Sequence, residues 1–279
     1  MDTEDAAAPA LAEEIAAYYG RDQEDARLRT GAGRLEFWRT QDVLRRLLPP
    51  APARILDVGG GSGVHAEWLA ADGHDVELLD PVPLHVERAA QLPGVRARHG
   101  DARALDAPDA SVDAVLLLGP LYHLPERPDR VRALAEARRV VRPGGLVVVA
   151  TINRFAGLHD TLATGVYFDA DRRPHIEAAA GDGWLRPGRG PKAMFTTAYF
   201  HAPEDVPAEF ADAGLTPHGQ YGVEGAAWLM GDVVSWLADP QRRALVLGAL
   251  RQTESVPSLL GVSGHLLTAG TRPDDVPGR

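Results

Sequence analysis

The sequence contains no cysteine and no apolar run long enough to span a membrane. The first absence excludes disulfide bonds, thiolate zinc sites and cysteine nucleophiles, and it fits a reducing compartment. The first residues, MDTEDAAAPA, are acidic where a signal peptide would be basic. We therefore expect a cytoplasmic protein that does not associate with a membrane.

A basic stripe is also absent. The 279 residues include 29 Lys and Arg against 39 Asp and Glu, a net charge of −10, and the arginine pairs are scattered over different segments. A nucleic-acid-binding protein would need a local basic surface, so we expect no nucleic-acid partner, a small-molecule ligand, and a monomer or homodimer. The metal-site spacings H-E-x-x-H and C-x-x-C do not occur, and neither does the phosphate loop G-x-x-x-x-G-K-[ST]. We expect no metal ion.

Strand and helix patterns alternate along the first half of the chain. Apolar strand patterns lie at Arg54–Val58, Asp75–Asp80, Val95–His99, Val112–Leu118 and Leu146–Thr151, and helical patterns lie between them at Val64–Ala71, Leu84–Gln91 and Asp129–Val141. This alternation predicts a parallel sheet that is covered by helices on both faces.

Different patterns surround this alternation. Apolar residues at helical spacing predict helices over Leu11–Tyr19 and Arg34–Leu48, and many glycines and prolines indicate an insertion after the fifth strand. The later part predicts a helix after Pro203, a strand near Gln220–Val223 and a last strand over Gly261–Ala269. The predicted divisions are a helical cap at 1–48, a cofactor-binding half at 49–154, an inserted lid at 155–195, the remaining core at 196–270 and a tail at 271–279.

The segment from Arg54 to Gly63, RILDVGGGSG, predicts a buried strand that runs into a glycine-rich turn and a helix. Glycine allows positive φ and close approach of a ligand, and the helix start offers unpaired N–H groups. A β-carbon at Gly59 or Gly61 is expected to occupy ligand space. Asp80, at the end of the next strand, is placed to bind two ribose hydroxyls. The glycines also fit the dinucleotide fingerprint G-x-G-x-x-G/A, so NAD remains an alternative cofactor.

The motifs over residues 54–154, taken in order, resemble the class I S-adenosylmethionine-dependent methyltransferase family. These motifs are LDVGGGSG ending at Gly63, Asp80, HGDA ending at Ala102, VDAVLLLG ending at Gly119, and VRPGGL ending at Leu146. The resemblance implies an α/β, Rossmann-like fold: a seven-stranded, mostly parallel sheet with helices on both faces, an N-terminal helical cap and an inserted lid. It implies S-adenosyl-L-methionine as cofactor and S-adenosyl-L-homocysteine as product.

The resemblance also assigns cofactor contacts. It places Asp57 beside the methionine amino group and Asp101 beside the adenine amino group. The other implied or predicted cofactor contacts are Gly59, Gly61, Gly63, Asp80, Ala102, Leu118 and Tyr19. An acid at position 57 suits a zwitterionic amino acid, whereas it would lie badly beside a pyrophosphate. This favours S-adenosylmethionine over NAD.

On the acceptor side, GPLYHL, ending at Leu124, resembles a bacterial subgroup of small-molecule methyltransferases, many of them in specialised metabolism. His123 follows the fourth strand and is predicted as a general base for transfer to oxygen or nitrogen, with carbon as a third acceptor. A purely structural hydrogen bond to a backbone carbonyl is the alternative. The predicted substrate contacts are Tyr18, Arg39, Tyr199, His201 and Glu224.

Internal roles compete with several of these predictions. Arg39 suits a substrate carboxylate but could instead pair with Glu24 or Glu36 at the surface. One of the two tyrosines, Tyr18 or Tyr19, is expected to pack its helix onto the core. His265 alternates within the last strand and is predicted to be a core histidine. Two other function classes stay open: an NAD-dependent oxidoreductase, and a non-catalytic S-adenosylmethionine-binding protein.

Overall fold

The structure is a computed structural model and describes residues 24–186 and 195–274. Nine strands are described: β1 (Arg54–Val58), β2 (Asp75–Asp80), β3 (Val95–His99), β4 (Val112–Leu117), β5 (Val141–Ile152), β6 (Trp184–Leu185), β7 (Ala198–Tyr199), β8 (Thr216–Gly222) and β9 (His265–Thr271). Seven of them form one sheet in the order β3-β2-β1-β4-β5-β9-β8, while β6 and β7 form a separate pair. Strands β1 to β5 are parallel, and β9 is antiparallel to both neighbours. This confirms the predicted seven-stranded, mostly parallel sheet.

The helices are α1 (Glu24–Arg29), α2 (Gly33–Leu47), α3 (Ala66–Ala71), α4 (Pro83–Ala89), α5 (Arg127–Val140), α6 (Ala156–Thr164), α7 (Arg173–Asp182), α8 (Asp205–Asp212), α9 (Val233–Ala238), α10 (Pro240–Arg251) and α11 (Pro257–Leu260). A 3₁₀ turn, Pro120–His123, follows β4. Among the described residues, none of these helices combines the length and apolarity that a membrane span requires.

Helices cover the sheet on both faces because its strands are apolar on both sides. In β1, Ile55 packs with apolar residues of α2, α3 and α4, whereas Leu56 packs with those of α5 and α8. Side chains alternate along a strand, so a central parallel strand must be apolar throughout to fill two cores. The predicted helix over Arg34–Leu48 is observed as α2, which ends before Pro49.

The inserted segment is more regular than its glycines and prolines suggest. Its described part contains α6 and α7, and both helices end at a glycine with positive φ, Gly165 at +78° and Gly183 at +86°. Glycine is favoured where a helix ends in the left-handed conformation, so these glycines mark helix ends. The last strand begins at His265, later than predicted, because residues 261–264 form the turn that joins α11 to it. The predicted helix over Leu11–Tyr19 lies outside the described residues.

Candidate cofactor and acceptor site

The glycine turn joins β1 to α3 at the carboxyl edge of the sheet. Gly59, Gly61 and Gly63 have φ values of +69°, +58° and +92°, the left-handed region that favours glycine. A β-carbon on Gly61 would meet no atom within 4 Å, whereas one on Gly59 would lie 2.6 Å from Pro120 Cγ. Gly61 thus faces open space, as expected for a ligand contact. The expectation was wrong for Gly59, where a β-carbon would collide with the protein itself.

Asp80 holds the glycine turn from the end of β2. Its Oδ2 accepts a hydrogen bond of 2.9 Å from the Gly61 N–H. Its Oδ1 accepts one of 2.9 Å from the Val82 N–H and lies 3.0 Å from His85 Nδ1. A carboxylate has about four acceptor positions, so these contacts leave capacity for a hydroxyl donor. The structure therefore brings the predicted ribose acid and the open face of the turn together.

Asp57 is the least satisfied polar group of the site. It is fully buried, and neither carboxylate oxygen has a hydrogen-bond partner among the described residues. Burial, and next the charge of Asp80, raise the pKa of Asp57 to about 7. A buried polar group without a partner destabilises a fold by roughly 1–3 kcal/mol, and more when charged. A ligand ammonium group would supply the missing donor, so the site fits the predicted amino-acid end of the cofactor.

Asp101 follows β3 and lies near Asp80, since His99 pairs with Asp80 across β2 and β3. Its Oδ1 accepts from the Arg103 backbone N–H at 2.8 Å, and its Oδ2 accepts from Arg103 Nη2 at 2.7 Å. Burial opposes ionisation, but these bonds and the charge of Arg103 keep the pKa of Asp101 below its usual value. Asp101 is thus an ionised acceptor on the side predicted for adenine.

Two apolar positions complete the predicted cofactor set. Ala102 is half-buried against the core formed with α5, and Leu118 is half-buried against the core formed with α2. Ala102 follows β3 and Leu118 follows β4, so the two residues lie at the same edge of the sheet. Tyr18 and Tyr19 lie outside the described residues.

His123 lies in the 3₁₀ turn beyond β4. Its Nδ1 is 3.4 Å from Thr196 Oγ1, and its ring centroid is 4.6 Å from that of Tyr122 and 5.8 Å from that of Phe195. Burial lowers the pKa of His123 to about 4, against the charge of Asp80 and a backbone hydrogen bond with Thr197. The imidazole is therefore neutral near pH 7. It can accept a hydrogen bond, but it is a weak proton acceptor.

Tyr199 and His201 belong to a buried charge network rather than to an open pocket wall. His201 has no exposed surface, and its ring meets the Tyr199 ring edge-on at 4.7 Å. The Arg130 guanidinium lies 3.8 Å from the centroid of Tyr199 and pairs with Glu209 at 2.8 Å. His201 is enclosed within this network, and the substrate role predicted for it stays a prediction.

Arg39 also has an internal role. It is fully buried, pairs with Asp42, donates to Glu254 Oε2 at 2.6 Å and donates to the Val223 carbonyl at 2.9 Å. The charge of Arg39 is satisfied inside the protein. Arg39 therefore neither pairs with Glu36 at the surface nor is available to bind a substrate carboxylate. A signal was available in the sequence, because position 39 falls on the apolar stripe of α2 between Leu35 and Val43.

Glu224 follows β8 and binds residues at the start of β9. Its Oε2 accepts from Ser263 Oγ at 2.9 Å and from the His265 N–H at 2.8 Å, and its Oε1 lies 2.6 Å from His265 Nδ1. Burial alone would lower the pKa of His265, but the charges of Glu36 and Glu224 raise it to about 9. The histidine predicted for the core is half-buried, and its partner carboxylates come from distant segments.

Glu36, Glu224 and His265 have candidate ligand atoms within 4.8 Å of one another, a spacing that could hold a metal ion. Arg27 donates to Glu36 through Nη1 at 2.5 Å and Nη2 at 3.1 Å. Two cations, Arg27 and protonated His265, therefore balance the two carboxylates. The cluster needs no ion for charge balance.

Residues 56–149 match a family described as a methyltransferase domain. An uncharacterised methyltransferase of Mycobacterium tuberculosis is 44% identical over 101 residues, 36% of this chain and 40% of that protein. A ubiquinone biosynthesis O-methyltransferase of Methylocella silvestris is 37% identical over 125 residues, 42% of this chain and 48% of that protein. The chain thus spans less than half the length of these curated relatives.

The whole described fold has solved counterparts. A structure from Thermotoga maritima, described as a possible histamine N-methyltransferase, has a TM-score of 0.58 at 17% identity and covers 93% of this chain and 99% of that one. This likeness concerns the fold. The matched domain contains the glycine turn, Asp57, Asp80 and Asp101. Residues 56–149 therefore match a methyltransferase domain, and the described chain as a whole shares the fold of the Thermotoga maritima structure.

Proposed function

We propose that this protein transfers a methyl group from S-adenosylmethionine to an oxygen or nitrogen atom of a small molecule in bacterial specialised metabolism, with carbon as a third acceptor. The single observation that carries the proposal is the buried Asp57 carboxylate, which has no partner among the described residues and lies beside the glycine turn. A methyl donor with an α-ammonium group supplies the donor that this carboxylate lacks.

The remaining polar groups fit the rest of the same cofactor. Asp80 and Gly61 stand together where a ribose would bind, and Asp101 offers an ionised acceptor beyond β3. A dinucleotide fits less well, because its pyrophosphate would meet the charges of Asp57 and Asp80 at the turn. The sulfonium supplies the activated methyl group when the cofactor is bound, so the chain must chiefly position the acceptor and exclude water.

His123 is the residue we place beside the acceptor. Its pKa of about 4 keeps it neutral, so it can accept a hydrogen bond from an acceptor hydroxyl or amine and orient the attacking lone pair. A base of such low pKa removes a proton poorly, which favours orientation over full deprotonation. The O-methyltransferase activity named for the Methylocella silvestris relative supports oxygen as the first acceptor to test.

The test is a binding measurement on the purified protein with S-adenosylmethionine, S-adenosylhomocysteine and NAD. A ligand at a hundred times its Kd adds about 2.7 kcal/mol of stability, which raises the Tm by a few degrees. We expect both adenosyl compounds to raise the Tm and NAD to have no effect. A response to NAD alone would overturn the proposal.

Matched variants locate the binding site. Asp57→Asn and Asp80→Asn should each weaken S-adenosylhomocysteine binding by about tenfold or more, as expected for hydrogen bonds with a charged partner. Asp106→Asn is the control, because that side chain is fully exposed. Unchanged affinity in both site variants would contradict the cofactor placement. Cofactor binding without turnover across a broad acceptor panel would favour the non-catalytic alternative.

A further inference from the structure

A cleft of about 360 Å³ lies between α6 and α7. Its apolar wall includes Leu158, Val166, Ile176, Leu185, Phe195 and Phe200. This volume is at the lower end of the range for small-molecule sites. Because α6 follows closely on β5, the cleft stands at the carboxyl edge of the sheet, where open α/β sheets bind ligands.

Phe195 links the cleft to the acceptor side of the site. Phe195 is part of its wall, and the ring centroid of Phe195 is 5.8 Å from that of His123. Thr196, the next residue, places its Oγ1 3.4 Å from His123 Nδ1. A molecule that fills the cleft therefore lies against Phe195, the ring next to His123.

Two opposite charges in the cleft lack protein partners among the described residues. Arg172 has a buried Nε without a hydrogen-bond partner, and no acid of the described chain pairs with its guanidinium. The second charge is that of Asp160, an exposed residue at the cleft. Partial desolvation raises the pKa of Asp160, and no hydrogen bond or opposite charge counters this effect.

Arg154 lines the same cleft, but its charge has protein partners. It pairs with Asp205 at 3.1 Å, donates to Tyr199 Oη at 3.1 Å and donates to the Phe200 carbonyl at 2.7 Å. Its charge is fully used in holding the fold. The unpaired groups of Arg172 and Asp160 are thus specific to those two positions and are not a general property of the cleft.

We propose that the α6–α7 cleft binds the methyl acceptor, and that this acceptor is a small zwitterion with an apolar body, such as an aromatic amino acid. The assignment rests on the proposed function. The acidic group of the ligand pairs with Arg172, its ammonium pairs with Asp160, and its apolar part lies against Phe195 and Phe200. A purely anionic ligand would leave Asp160 unpaired and facing a like charge, and a purely cationic one would do the same at Arg172.

The experiment uses the full chain loaded with S-adenosylhomocysteine and titrated by calorimetry. The probes are L-tyrosine, its analogue without the amino group, 3-(4-hydroxyphenyl)propanoate, and its analogue without the carboxylate, tyramine. L-Tryptophan is a second zwitterion. We expect the zwitterions to bind at least about tenfold more tightly than either singly charged analogue, because each lost charge removes a charge-assisted hydrogen bond.

Two variants assign the charges. Arg172→Gln should weaken L-tyrosine and the propanoate without weakening tyramine, and Asp160→Asn should weaken L-tyrosine and tyramine without weakening the propanoate. Neither should lower the Tm, since neither side chain has a protein partner to lose. Arg173→Gln is the matched control, because the Arg173 side chain is exposed and approaches Glu177 only at 4.0 Å.

Three results would overturn the inference: no zwitterion binding in the loaded protein, equal binding of all the probes, or a Tm that falls by several degrees in Arg172→Gln. The measurement of S-adenosylhomocysteine binding distinguishes failure of the proposed function from failure of this inference. If S-adenosylhomocysteine itself fails to bind, the proposed function fails and this inference fails with it. If it binds and the zwitterions show no preference, only the inference fails.

Discussion

Asp57 and Asp80 lie at the carboxyl ends of neighbouring parallel strands, yet among the described residues only Asp80 has hydrogen-bond partners. Asp80 is satisfied by the turn that it holds, whereas Asp57 is buried and unsatisfied. Such a group destabilises the free protein, and a cationic ligand removes the penalty on binding. The two acids thus differ: Asp80 holds the turn and has capacity left for a hydroxyl donor, whereas Asp57 offers a carboxylate without a partner of its own.

Cofactor affinity should depend on pH through Asp57. The pKa of Asp57 is raised to about 7, and a protonated carboxyl cannot pair with an ammonium group. We expect S-adenosylhomocysteine affinity to be constant above this pH and to fall by up to about tenfold for each pH unit below it. Calorimetry at pH 7 in buffers of different ionisation enthalpy should detect proton release on binding. Asp57→Asn should abolish both effects, and a pH-independent affinity in the parent protein would contradict the assignment.

The same residue should affect the stability of the ligand-free protein in the opposite sense. Because the folded pKa of Asp57 lies above the unfolded value of 3.8, the folded state binds the extra proton between these values. The free energy of unfolding should therefore fall as pH rises from about 4 to about 7 and then level off. Asp57→Asn should raise the ligand-free Tm at pH 8 while weakening cofactor binding. A lowered Tm would show that Asp57 has a stabilising partner.

Gly61 and Gly59 should respond differently to alanine. Both have positive φ, and alanine in that conformation costs about 1–2 kcal/mol. A β-carbon at Gly61 enters open space, whereas one at Gly59 lies 2.6 Å from Pro120 Cγ. We expect Gly61→Ala to fold with a Tm a few degrees lower and to lose at least about tenfold in cofactor affinity, since a methyl group would occupy ligand space.

Gly59→Ala should show the larger loss of Tm, because the collision with Pro120 adds to the backbone strain. Thermal unfolding with and without S-adenosylhomocysteine compares the two variants directly. Full cofactor affinity in Gly61→Ala would mean that the ligand does not cross that face of the turn.

Arg39→Met should act on stability. Removing one partner from a buried ion pair leaves uncompensated charge, here on Asp42 and Glu254, and typically costs about 3–5 kcal/mol. Denaturant unfolding measures the loss. Arg45→Gln is the control, because its pair with Asp72 is exposed and such pairs contribute about 1 kcal/mol or less. A raised KM with unchanged stability in Arg39→Met would restore the substrate role that the sequence suggested.

His265 should link stability to pH in the alkaline range. Its pKa rises from 6.5 to about 9 because of Glu36 and Glu224, although burial opposes the shift. The stabilisation is complete below the unfolded pKa and is lost as pH rises through the folded one. We expect the Tm to fall between about pH 6.5 and pH 9, and the fall to be smaller in His265→Gln and in Glu224→Gln. An equal fall in all three proteins would contradict the pairing.

The cofactor half of the site was predictable because its residues are neighbours in sequence or stand at strand ends. The run from Arg54 to Gly63 predicts a strand, a turn and a helix by local rules, and the structure shows β1, the turn and α3 in that order. Asp80 ends the next strand, and parallel strands bring their carboxyl ends to one edge. That edge places Asp80 on the Gly61 N–H.

The sequence by itself determined the order of β1 to β5 and of the helices between them, the glycine turn and the acids that end β2 and follow β3, since each depends on short-range pattern. Only the tertiary structure decided which charges are satisfied internally. Arg39 meets Glu254 across 215 positions, and His265 meets Glu224 across 41. A side chain's role depends on the groups that desolvate it and pair with it, and folding brings those groups from segments that no local pattern relates.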